Sequence, residues 1–64
     1  MADLTLTPNI PDGDDFYAEL IGAHEGLSKA ESDALNARLV LVLANHIGDR
    51  AVLSAALKAA ALRD

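Results

Sequence analysis

The stretch Leu39-Val40-Leu41-Val42-Leu43-Ala44 decides how this chain folds. It lies inside what reads as one long helix and is apolar on every side of it. A helix on the surface of a small domain shows an apolar stripe on one face only, so apolar residues all round mark a buried helix. A chain of 64 residues has little material with which to bury one. The expectation is that a second molecule, a copy or another protein, covers part of it.

Working outward, the helix has legible ends. Ser28 and Glu31 form an S-x-x-E capping box, with Leu27 placed as the hydrophobic staple, and Gly48 stops the helix. The spacing predicts a helix over 29–47, about 29 Å long at the standard rise. Before it, Phe16, Leu20, Ala23 and Leu27 recur at i, i+4, i+7 and i+11, which predicts a helix over 15–25 closed by Gly26. The acidic turn Asp12-Gly13-Asp14-Asp15 supplies carboxylates where the N-terminal dipole favours them. After it, Asp49 is the expected N-cap of a third helix over 50–62. Its apolar face reads as Leu53, Ala56, Leu57, Ala60 and Ala61, with Val52 at the edge. Residues 1–11 hold Pro8 and Pro11, which predict an extended arm. The fold expected is all-α: one domain over 1–64, a three-helix antiparallel bundle with an extended N-terminal arm, completed by dimerisation.

Size makes the dimer necessary in this reading. A domain this short buries only about 60% of the surface its unfolded chain exposes. Disulfides are excluded because there is no cysteine, and two histidines without thiolates do not close a structural metal site. Self-association remains, with Leu39, Val40, Leu41, Val42, Leu43 and Ile47 as the expected interface. The longest apolar run is six residues, against the roughly 20 that a spanning helix needs, so no membrane contact is expected. No signal peptide is expected either, because the start has neither a basic nor a long apolar region. With the absence of cysteine this points to the cytoplasm.

Charge is unevenly placed. Residues 1–33 carry Asp3, Asp12, Asp14, Asp15, Glu19, Glu25, Glu31 and Asp33 against Lys29, a net of −7. Residues 34–64 carry Arg38, Arg50, Lys58 and Arg63 against Asp49 and Asp64, a net of +2. The two halves attract, within a chain or between chains. The acidic total of −5 argues against nucleic acid as a partner. A helix-turn-helix presenting Arg50, Ser54 and Lys58 to DNA is therefore a weak alternative, behind a solvated helix face.

Candidates for chemistry are few. His24 and His46 each fall in the last turn of a helix, where they interact favourably with the dipole and its free carbonyls. In antiparallel helices they stand about 25 Å apart, which excludes a shared intrachain metal. Arg38, Val42 and Asn45 share a face at i, i+4 and i+7. If that face is buried, Arg38 requires a carboxylate, and a polar residue there fixes register. A small-molecule or metal site formed between chains from His24, Arg38, Asn45 and His46 is the rival to a purely structural role. There is no phosphate-binding glycine loop, no cysteine nucleophile, and no base at a motif spacing from Ser28, Ser32 or Ser54. No cofactor and no catalysis are expected.

The strings Asn9-Ile10-Pro11, Asp15-Phe16-Tyr17, Ala23-His24-Glu25-Gly26-Leu27, Ser32, Leu35-Asn36-Ala37-Arg38-Leu39 and Asn45-His46-Ile47-Gly48-Asp49 together carry a resemblance. The chain resembles a family of very short bacterial proteins, domain of unknown function 2783, over nearly its whole length and least after Leu53. The resemblance brings no catalytic residues. It implies an accessory role beside metabolic enzymes, because such members look to be encoded near flavin-dependent aromatic hydroxylases and metal-dependent hydrolases. The function expected is a small non-catalytic interaction or assembly module.

Overall fold

The computed structural model describes residues 3–61, and over them the chain is all-α. A segment without regular secondary structure leads into α1 (Gly13–Ala23), α2 (Lys29–Ile47) and α3 (Arg50–Ala60), with no strand among the described residues.

Local hydrogen bonds set the bounds of α2 at the residues expected. The Ser28 hydroxyl accepts from the Glu31 amide at 3.2 Å, and the Glu31 carboxylate accepts from the Ser28 amide at 2.9 Å. The pair satisfies two donors that a helix start otherwise leaves without partners. The Ser28 backbone bond, then its hydroxyl, hold the exposed Glu31 carboxyl below its ordinary pKa. Gly48 closes the helix in a left-handed conformation, φ 71°, and returns its amide to the Ala44 carbonyl at 2.9 Å. That geometry costs a residue with a Cβ about 1–2 kcal/mol. Asp49 follows at once, its Oδ1 accepting from the amides of Ala51 and Val52 at 2.9 and 3.2 Å. The chain thus turns from α2 into α3 through Gly48 and Asp49 alone, and the two helices pack on each other.

At α1 the boundaries differ from those expected. The helix runs two residues earlier at each end, 13–23 instead of 15–25. Asp12 is its N-cap, in a left-handed conformation (φ 52°) that aspartate tolerates better than most residues. At the other end the amides of His24 and Glu25 bond three residues back, to Ile21 and Gly22, so the last turn tightens and regular helix stops at Ala23. Gly26, φ 76°, then reverses the chain as the sequence suggested.

On α3 the expected face is corrected. Val52, Leu53, Ala55, Ala56 and Ala59 are the half-buried residues, whereas Ala60 and Ala61 are exposed and Leu57 is 71% exposed. Alanine lies on nearly every side of this helix, so periodicity could not fix which side packs. The end expected at Leu62 lies outside the described residues; Ala61 caps the helix through the Leu57 carbonyl. In the arm, Leu4 is half-buried, but Leu6 and Ile10 stay exposed. Met1 and Ala2 of that expected arm lie outside the described residues.

Among the described residues no side chain is fully buried. The accessible surface is 5780 Å², against about 3,900 Å² for a compact monomer of this mass. The radius of gyration is 13.7 Å, where a compact domain of 64 residues has about 10.7 Å. Each helix is locally complete, and their assembly is open.

Replacing Ser28 by alanine is expected to cost about 1 kcal/mol and lower the melting temperature by about 4–8 °C in thermal circular dichroism. The Glu31 contribution has a defined pH sign. With its folded pKa lowered, the stabilisation is present above the ordinary carboxylate pKa and lost as pH falls through the folded value. Glu31→Gln is expected to flatten that acid limb in melts between pH 7 and pH 2.

Candidate functional site

The middle of α2 presents apolar side chains in three directions. Ser32, Leu35 and Leu39 recur at i, i+3 and i+7 and form the half-buried face. Leu41 and Val42, 69% and 64% exposed, lie outward with Arg38 and Asn45. The third direction, Val40, Leu43, Ala44 and Ile47, follows the i, i+3, i+4, i+7 rule and forms one wall of a groove of about 600 Å³. The opposite wall comes from α3 at the same spacing, Arg50, Leu53, Ser54 and Leu57, extended by Ala56 and Ala60. The two-residue turn at Gly48 and Asp49 holds these walls together.

The groove is almost wholly aliphatic and open to solvent. Its polar groups, Arg50 and Ser54, both belong to the α3 wall. Small-ligand sites are more often enclosed clefts with a few convergent polar groups. An open aliphatic channel between two helices is the shape that accepts a third helix. Of the expected interface, Val40, Leu43 and Ile47 line the groove, Leu41 and Val42 face outward, and Leu39 belongs to the half-buried face.

None of the four polar candidates lines the groove. His24 is the C-cap residue of α1, but its ring does more than sit against the helix dipole. His24 Nδ1 and the Ser32 hydroxyl hydrogen-bond at 2.9 Å, which ties the end of α1 to the first turns of α2. This side-chain role corrects the carbonyl-capping reading, and the reason is that Ser32 stands on the face of α2 that the turn at Gly26 brings close. A hydroxyl–imidazole pair is also the start of a nucleophile–base arrangement. Among the described residues no carboxylate hydrogen-bonds the ring to orient it. His46 is exposed in the last turn of α2, as the spacing indicated. Arg38 and Asn45 are exposed, and among the described residues Arg38 forms no ion pair; the pair present is Lys29–Asp33, at 2.9 Å on the surface. Exposed to water, Arg38 requires no carboxylate partner within this chain. No group of three or more histidine, cysteine, aspartate or glutamate residues is placed to hold a metal among the described residues. The stripe Arg50, Ser54, Lys58 is divided, with the first two in the groove wall and Lys58 outside it.

Four residues of the apolar face expected on α3, Leu53, Ala56, Leu57 and Ala60, line this wall, and Arg50 and Ser54, expected on a solvated stripe, line it with them. No helix among the described residues is long and apolar enough to cross a membrane.

The model of the family described as "Protein of unknown function (DUF2783)" matches residues 4–62, and the chain belongs to that family. The match continues well beyond Leu53, where the resemblance had looked weakest. No curated protein and no solved structure matches the chain.

Ser32→Ala removes the bond to His24. It is expected to cost about 0.5–1.5 kcal/mol, read as a lower urea midpoint at an unchanged slope.

Proposed function

We propose that this member of the family is a non-catalytic helical interaction module that self-associates, as a homodimer, in the bacterial cytoplasm. One observation carries the reading. Among the described residues nothing is fully buried, while Val40, Leu43 and Ile47 line an open groove and Leu41 and Val42 project into solvent. The accessible surface exceeds that of a compact monomer of this mass by about 1,900 Å². Two such chains covering their excess in each other would bury total area in the range of obligate homodimers, about 2,000–5,000 Å². Exposed apolar patches beyond a few hundred Å² mark interaction surfaces.

The lack of cysteine supports a reducing compartment, and the Ser32–His24 pair, which has no orienting carboxylate among the described residues, supports a role without catalysis. The family resemblance supports service beside a metabolic enzyme, flavin-dependent among the candidates. A small-molecule site is the second reading, because the groove's volume falls within the roughly 300–1,000 Å³ of ligand pockets. Its open, aliphatic character favours a protein occupant.

Light scattering across a dilution series, with circular dichroism alongside, tests the proposal. The expected result is a helical species of twice the 6.7 kDa chain mass at micromolar concentration. A helical monomer at every concentration would overturn it.

A further inference from the structure

Self-association leaves open which part of one chain meets which part of the other. The groove between α2 and α3 needs a convex apolar rod, and the chain contains one. Helix α1 is 11 residues long, about 16 Å at the standard rise, and α3, which forms one wall, is also 11 residues. Phe16, Tyr17, Leu20 and Ile21 share one side of α1, and among them Phe16, Tyr17 and Ile21 are 42%, 63% and 52% exposed. Phe16 and Tyr17 are also the sole aromatic residues in the sequence, the side-chain types that anchor interfaces.

Helix α1 does not fill the groove of its own chain, and no α1 residue lines it. The bond from His24 to Ser32 holds the end of α1 on the Ser32–Leu35–Leu39 side of α2. The groove begins at Val40, about 12 Å further along the helix and roughly a quarter-turn round it. Charge agrees with an intermolecular match. Asp14, Asp15 and Glu19 flank the apolar side of α1, whereas among the described residues Arg50 is the one charged residue lining the groove and no acid lines it. Pairing groove to groove would leave the α1 aromatics exposed and would set like walls against each other.

We propose that α1 of each chain docks in the α2–α3 groove of a second copy, so that a two-fold dimer fills both grooves by reciprocal exchange. The proposal rests on the self-association argued above. It accounts for two exposed apolar surfaces with one contact, repeated by symmetry.

The cysteine-free chain makes the test clean. Tyr17→Cys and Leu57→Cys are prepared as separate chains, mixed in equal amounts, co-refolded and mildly oxidised. The cross-links are then identified by peptide mass. Because each chain has one thiol, every disulfide is between chains. The expected result is a 17–57 cross-link several-fold above the 17–17 and 57–57 products. Dominance of 57–57, or no 17–57 product in a preparation that scatters light as a dimer, would overturn the exchange while leaving self-association standing. A wild-type monomer throughout the dilution series would remove both. As a second measure, Ile21→Glu is expected to weaken the dimer at least tenfold with helicity kept on circular dichroism at high concentration. An unchanged dissociation constant would overturn the placement of α1.

Discussion

The chain is too short to enclose its own central helix. α2 carries six consecutive apolar residues, which face every direction around its axis, and among the described residues two helices of 11 residues are the helical material available to cover them. A helix apolar on every side leaves water only when it is covered on every side. Here α3 forms the far wall of a groove on one side, the end of α1 is tied to a second, and Leu41 and Val42 remain in solvent on the third. Composition sharpens the shortage. With much alanine on α3, and Phe16 and Tyr17 the sole aromatics on α1, the flanking helices bring little apolar volume to cover α2.

What the sequence made legible divides by range. Features fixed by a few neighbouring residues were read correctly: both ends of α2, the capping box of Ser28 and Glu31, the left-handed Gly26 and Gly48, and Asp49 as a cap. These depend on hydrogen bonds spanning two to four residues, and their chemistry is specific. The two-residue offset of α1 has the same local origin. A left-handed Asp12 and a tightened final turn compete closely with the alternatives, and spacing does not separate them. Faces were harder. Hydrophobic periodicity ranks sides only where polar residues occupy the others, and α3 has alanine at 51, 55, 56, 59 and 60. Its packed side therefore could not be distinguished from its groove side.

The candidate site shows the same division. The apolar run was identified as the surface needing cover, and three of its residues do line the groove. Polar residues are uncommon on this part of the chain, yet rarity carries no position. His24 found a partner in Ser32, eight residues away, a contact set by the turn at Gly26 that neither residue's own helix reveals. Arg38 and Asn45 stand on the outward side, where a hydrated surface satisfies them without a partner.

Strong local signals beside weak long-range packing have an energetic consequence. Helices of 11 residues are marginal in water on their own, and one of 19 gains stability chiefly by burying a face. Caps fix where each helix starts and stops, each contributing about 1 kcal/mol, but they do not supply the free energy that orders the backbone, about 1–2 kcal/mol per residue. That free energy comes from removing apolar surface from water, and this chain leaves much of its apolar surface exposed. Under the proposed reading, folding and association are therefore one equilibrium, with the caps deciding which structure forms and the second copy deciding whether it persists. The acidic first half and the mildly basic second half suit that division, because they favour contact between unlike ends of two chains over contact between like ends.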